Sequence, residues 1–322
     1  MRLFDSIRRL INDPPPGYIF EISPGGIAYG APSAPEAAGF RALSEGVLAI
    51  SPLSDNVKQP EEFARGLADT FPAANGGGRM LRPAALILPD YSTRLQVLDF
   101  DTFPAKPEEQ QALVRFRMKK TVPFDIETAA VGFHPQPPAG DSKKVEVVAV
   151  LVSYEILGRY EGPLREAGYQ PGFVTTSALA TLNLIKSAEL SLLVKLSGKT
   201  LTILALEGSR IKMARCLELE ALAEEEVLAV IYPTIAYMED VFAGGSSLGG
   251  TSLGGTSLGG TSRKSGGGRP AHIWLCGFGA GSGDLAQRWS GELKIPFEIL
   301  QSRYGTPGPY NAGVLGFLES AN

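Results

Sequence analysis

The sequence predicts an α/β protein made of two related halves, on three observations. The stretch YIFEISPGGIAYGAP (18–32) reads strand, glycine turn, strand. A second start of the same kind opens at about 190, where LSLLVKLSGKTLTILALEGSRIKMARCLEL holds three strands parted by turns at Ser197-Gly198-Lys199 and Glu207-Gly208-Ser209. Between and after these hairpins, short apolar runs alternate with helical patterns that carry start and stop signals. The repetition lies in pattern more than in letters, and it suggests two α/β domains facing across a cleft.

The elements follow in order. Residues 1–11 place Leu3, Phe4, Ile7, Leu10 and Ile11 at helical spacing with Arg2, Arg8 and Arg9 elsewhere, which predicts a short helix or strap ended by Asn12-Asp13-Pro14. After the first hairpin comes an apolar run at Gly46–Ile50, then a helix over 60–71, broken by Asn75-Gly76-Gly77-Gly78. AALILPD (84–90) is a continuous apolar run, as a strand buried on both faces requires. PEEQQALVRFRMKK (107–120) opens on proline and acids and closes on bases, the polarity a helix dipole favours. VEVVAVLVSYEIL (145–157) runs from strand into a helix that Gly168 caps. In the second half a helix is expected from about Ala221 to Phe242, a strand at the start of AHIWLCGFGAG (271–281), a further helix, a strand in IPFEIL (295–300) and a last helix over 311–319. Residues 244–268 repeat SLGGT with a period of five, too short for a solenoid unit and too rich in glycine and serine to order, so a surface loop is expected.

Composition narrows the function. The chain has 322 residues, 44% hydrophobic and 20% charged, enough to bury a sizeable core in about two domains. A net charge of −4 argues against nucleic acid as a partner. Two cysteines and two histidines suggest neither a disulfide framework nor a metal site. No apolar run reaches the length of a membrane span, which predicts a cytoplasmic protein, with the basic face of 1–11 a candidate contact with anionic lipid.

The order of several segments resembles one family. LILPD (86–90) is followed by a charged helix ending in MKKTVPFDIE (118–127); then come VEVVAVLVSYEILGRYEGPLREAGYQPGFVTTSALATL (145–182), WLCGFGAGSGDL (274–285) and NAGVLGFL (311–318). This succession, over most of the chain, resembles PilM, the actin-like cytoplasmic protein of type IV pilus assembly. The resemblance implies an α/β actin-like ATPase (ribonuclease H-like) fold with two lobes around a nucleotide cleft. The first lobe would be residues 1–189 with a small inserted subdomain near 91–160. The second would be 190–322, its helix 311–319 returning toward the first. The resemblance also implies a platform peripheral to the inner membrane. It would bind the cytoplasmic tail of a PilN-like membrane protein in a groove beside the inserted subdomain, assemble with other pilus proteins, and could form homo-oligomers.

The family's fold holds ATP with one hairpin per lobe, each marked by an aspartate that orients Mg²⁺ and glycines that let backbone N–H groups reach phosphate. The first hairpin here reads Glu21-Ile22-Ser23-Pro24-Gly25-Gly26: the acid has a longer stem, Ser23 replaces a glycine, and Pro24 has no N–H. The second has Lys195 in the aspartate's place, ahead of Ser197-Gly198-Lys199, and an ammonium repels a metal ion. The family's Gly-Gly pair near 217–222 is replaced by Leu217-Glu218-Leu219-Glu220, whereas Gly277, Gly279 and Gly281 survive on the adenosine side. The candidate nucleotide residues are Glu21, Ser23, Gly25, Gly26, Ser197, Gly198, Lys199, Gly277 and Gly279, with no metal and no catalytic residue assigned. The expectation is that ATP hydrolysis is lost and that no cofactor is needed, with ATP and Mg²⁺ as the alternative.

A partner surface is expected where Arg115 and Arg117 stand beside Phe116, Val122, Phe124 and Ile126. Asp99, Asp101, Glu108 and Glu109 read as a solvated strand end and helix start rather than as paired acids, and Lys119 and Lys120 as dipole complement. His134 reads as exposed, and His272 beside Cys276 does not make a metal site. The first reading is therefore a PilM-like scaffold without enzyme activity. The alternatives are an active ATPase or kinase of the same superfamily, for which both phosphate hairpins and a cleft aspartate are wanting, and the cytoplasmic domain of a type II secretion L-protein, which continues into a membrane span where this sequence stops at Asn322.

Overall fold

The computed structural model describes residues 15–71, 81–122, 124–138, 144–243 and 268–321. The expected N-terminal helix (1–11), the glycine break 75–78, Pro123 and nearly all of the repeat loop (244–267) lie outside them.

The two halves share one topology. In the first, β1 (Tyr18–Ser23) and β2 (Gly26–Gly30) form the expected hairpin, β3 (Gly39–Ala42) extends it, and β4 (Arg82–Leu88) and β8 (Tyr169–Thr176) run parallel to β1, in the order β3-β2-β1-β4-β8. In the second, β9 (Leu190–Ser197), β10 (Thr200–Glu207) and β11 (Arg210–Glu218) are antiparallel and β12 (His272–Cys276) and β13 (Phe297–Ile299) parallel, in the order β11-β10-β9-β12-β13. Gly198 and Gly208 turn the second pair of hairpins at φ +57° and +59°, a region open to glycine without a side-chain clash.

The period of two along each strand divides its side chains between two cores. Phe20, Ile22, Leu86 and Leu88 face α1 (Pro60–Ala68) and α3 (Tyr154–Glu166), through Phe63, Leu67, Ile156 and Tyr160. Ile19, Ala85 and Ile87 face α7 (Ala312–Ala321), through Val314 and Leu318. The helix expected over 311–319 thus packs on the first lobe. Its Gly316 is required there, because a Cβ would collide with the Ala180 carbonyl of the short helix α4 (Ser177–Thr181). In the second lobe Leu192, Val194, Leu201 and Ile203 meet α5 (Glu224–Ala243) and α6 (Ser282–Leu293). On its other face Leu193, Leu204 and Cys276 meet Ala178, Leu184 and Ala312.

Between β4 and β8 the chain builds a separate antiparallel sheet, β5 (Arg94–Phe100), β7 (Val145–Ser153) and β6 (Ala129–Pro135), in the order β5-β7-β6. It is covered by α2 (Pro107–Met118), with Val114 and Met118 against Leu98, Phe100 and Val147. The inserted sheet ends at Ser153. Residues up to 160 belong to α3, which packs in the first-lobe core, so the expected limit of 160 overshoots.

The apolar run Gly46–Ile50 forms a loop, joined to 56–59 by a bridge from Leu48 to Val57 and by backbone hydrogen bonds at Val47 and Ala49. Strands β3, β6 and β8 were not anticipated. Pro171 reads as a breaker in the sequence, yet β8 is an edge strand, where a missing N–H costs no ladder bond.

Candidate functional site

The two hairpin turns meet where the lobes face each other. Ser23 Oγ donates to the Gly26 carbonyl at 2.9 Å and closes the first turn on itself. The Tyr310 ring lies on this turn: three of its atoms fall within 2.9 Å of where a Gly25 Cβ would stand, and it stacks on Phe40 at 5.7 Å. Pro24 Cγ in turn lies 3.3 Å from the Cβ position of Gly198 in the second turn. Proline and tyrosine thus fill the space between the turns. Lys199 points away, its Nζ donating to the Glu220 carbonyl at 3.1 Å.

Beneath the turns lies a charged network buried between the lobes. Lys195 Nζ pairs with Asp90 Oδ2 at 2.9 Å, with side chains only 2% and 4% exposed. Thr202 Oγ1 donates to the same oxygen at 3.1 Å, and the Ala178 N–H to Oδ1 at 2.7 Å. Glu21 accepts the Ser177 hydroxyl on Oε1 and the Val314 N–H on Oε2, the latter at 2.8 Å. Burial pushes the Glu21 carboxyl up to about 7, against the pull of the Lys195 ammonium and of both hydrogen bonds. Burial alone would lower the Lys195 ammonium, but the Asp90 and Glu21 carboxylates outweigh it and hold its pKa above the usual lysine value. Asp90 comes from the end of β4 and Lys195 from β9, so the pair bolts one lobe to the other.

This donor set does not fit a hydrated Mg²⁺ ion on a phosphate chain. The acid expected to reach a metal, Glu21, is committed to Ser177 and Val314, and the second metal position is an ammonium with its own carboxylate. The amides at 220–221, in the segment that replaces the glycine pair, are also taken: the Glu226 carboxylate accepts the Glu220 and Ala221 N–H groups at 2.6 and 2.9 Å. Among the described residues no group of three or more histidine, cysteine or acidic side chains could hold a metal ion.

The candidate nucleotide residues therefore divide. Glu21, Ser23, Gly25 and Gly26 gather at the closed turn. Gly198, Gly277 and Gly279 line a cavity of about 570 Å³ in the second lobe, between the start of α5 and the Gly277–Gly281 loop ahead of α6. Gly277 is pressed against the Leu196 carbonyl, whereas Gly279 and Gly281 have open space at their Cβ positions. Ser197 and Lys199 do not line this cavity. Asp90 and Tyr310, which decide the site's character, were missed by sequence reasoning. A charged residue directly after a run of buried strand residues was the available signal for Asp90, and Tyr310 gave none.

The partner residues divide as well. Val122 and Phe124 line a narrow groove between the inserted subdomain and the first lobe, opposite Pro52 and Leu53, and Leu53 is 62% exposed. Arg115 and Phe116 line a shallow depression on α2. The Arg115 guanidinium is spent on the Ile126 and Ala129 carbonyls at 2.7 and 3.0 Å, and Arg117 on the Asp99 carbonyl at 3.2 Å and the Phe100 ring. The basic end of α2 thus braces the subdomain from within, while Phe116 stays exposed beside it. His272 Nδ1 lies 2.7 Å from Glu298, and among the described residues no helix is long and apolar enough to cross a membrane.

Neither a protein-family model nor a curated protein sequence matches the chain. Solved structures do. One is the PilM-PilN type IV pilus biogenesis complex, with a TM-score of 0.67 at 17% identity, over 95% of this chain and 98% of the other. Another is a Bacteroides thetaiotaomicron protein with an actin-like ATPase fold, with a TM-score of 0.50 at 9% identity, over 94% of each chain. The duplicated five-stranded topology and these likenesses agree: the chain has the actin-like ATPase fold in a PilM-like arrangement.

Proposed function

We propose that the chain is a PilM-like scaffold at the cytoplasmic face of the inner membrane, which binds a short cytoplasmic peptide of a PilN-like membrane protein and does not hydrolyse ATP. The observation that carries the reading is the groove at Leu53, Val122 and Phe124, an apolar seam between two bodies in a fold like that of a protein solved with PilN. Loss of hydrolysis is supported by the Lys195–Asp90 pair and by the proline and tyrosine packed between the turns. The test is fluorescence polarisation with a labelled peptide of the PilN-like N-terminal tail. Saturable binding is expected, weakened about tenfold or more, equivalent to about 1.4 kcal/mol, by Leu53→Asp or Phe124→Asp and unchanged by ATP with Mg²⁺. Absent binding to the wild type, or binding indifferent to both substitutions, refutes the docking site, and Mg²⁺-dependent phosphate release refutes the loss of hydrolysis.

A second reading, nucleotide binding without turnover, is favoured by the cavity of about 570 Å³ beside Gly279 and Gly281. Calorimetric titration with ATP separates the two: this reading expects heat that does not depend on Mg²⁺, and the first expects none.

A further inference from the structure

We propose that a second recess, between the inserted subdomain and the second lobe, binds a small doubly charged oxyanion such as hydrogen phosphate. Strand β5 of the subdomain lies against β11 of the second lobe. Beside that contact opens a recess of about 460 Å³, whose lining includes Arg94 and Gln96 from β5, Arg215 from β11 and Pro233 from α5. It is separate from the cavity beside Gly279 and adjoins the groove at Val122 and Phe124, with which it shares Thr93 and Arg94; the proposal does not depend on either reading above.

Three features point to this recess, where Arg94 is part-buried and Arg215 is exposed. First, its charge is unbalanced: two guanidiniums line it and, among the described residues, no aspartate or glutamate does, in a chain of net charge −4. Second, Arg215 is aimed. Its Nη1 donates to Thr234 Oγ1 at 2.9 Å, and Thr234, fully buried, donates in turn to the Val230 carbonyl at 2.7 Å, so the guanidinium is held while its other N–H groups meet no acceptor among the described residues. Third, Arg94 has no hydrogen-bond or ion-pair partner among the described residues, although its Nε is buried. A buried donor without an acceptor is costly, and a guanidinium presents N–H groups in the fork geometry that phosphate and carboxylate oxygens match. Cys216, which also lines the recess, supplies no competing anion, since burial pushes its thiol up to about 12. An oxyanion bound by Arg94 on one side and Arg215 on the other ties the subdomain to the second lobe.

The test is a thermal-shift titration with inorganic phosphate at constant ionic strength against chloride, paired with the phosphorus-31 linewidth of phosphate in the presence of the folded protein. The wild type is expected to show a saturable rise in Tm with a Kd below about 10 mM, as a ligand of the native state must. It is also expected to broaden the phosphate resonance. Arg94→Gln should remove both effects, Arg215→Lys, which keeps the charge and loses the fork, should weaken both, and Gly291→Ala, on α6 away from the recess, should change neither. The linewidth serves for any variant that has lost stability but remains folded. A rise that does not saturate, or responses equal in the wild type and Arg94→Gln, overturns the proposal.

Discussion

Replacing Lys195 with methionine tests the bolt between the lobes. The substitution keeps most of the side-chain volume and removes the charge, leaving Asp90 buried with the Ala178 N–H and the Thr202 hydroxyl but no counter-ion. Breaking a buried pair by deleting one partner costs about 3–5 kcal/mol, because the surviving charge stays desolvated. The two remaining hydrogen bonds to Asp90 place this case at the lower end, about 3 kcal/mol. Asp90→Asn in the Lys195→Met background removes the stranded charge and keeps an acceptor for Ala178, so the double variant should recover about 2 kcal/mol of the loss. Urea unfolding measures this, followed by the fluorescence of Trp274 and Trp289 in the second lobe and by circular dichroism over the whole chain. The coupling energy from the four-member cycle is the quantity of interest. A loss below about 1 kcal/mol for Lys195→Met, or a double variant no more stable than the single one, would refute the claim that the Lys195–Asp90 pair joins the lobes.

Two other predictions follow from buried groups. The Glu21 carboxyl is held near 7 in the folded chain against an ordinary 4.5, so the native state keeps its proton where the unfolded chain has lost it. Stability should therefore fall as pH rises from about 4.5 to about 7, by about 3 kcal/mol from this group, and level off above; Glu21→Gln should flatten that slope in urea midpoints taken from pH 5 to 8. Gly316→Ala should cost about 1–3 kcal/mol, since its methyl group meets the Ala180 carbonyl, whereas Gly291→Ala, on α6 with open space at its Cβ position, should gain up to about 1 kcal/mol in the same assay.

The halves of the fold were legible because each hairpin carries its own turn glycines and its own alternation, and both can be read within ten residues. Lys195 was legible as a reversal of charge, and Pro24 as a lost donor. Asp90 was not, because what it does depends on Lys195, 105 positions later, being brought beside it. Tyr310 was likewise invisible: an aromatic residue in a loop does not announce that it will cover a turn formed by Gly25. Strand β8 was hidden by Pro171 and Gly172, which signal a turn locally and are tolerated only because the sheet ends there. The charge of Arg115 and Arg117 was plain, but the carbonyls they bond were not, because these come from a short turn and two strands outside their helix.

The placement of α7 has a consequence for synthesis. Val314 and Leu318 complete the core that Ile19, Ala28, Ala85 and Ile87 begin, and the Val314 N–H completes the shell of Glu21. While the ribosome is still translating the second lobe, the first sheet therefore stands with one apolar face bare and a buried acid half satisfied. The nascent first lobe can form its core against α1 and α3, while its opposite face stays incomplete. That face and the shell of Glu21 close only once residues 312–321 are in place.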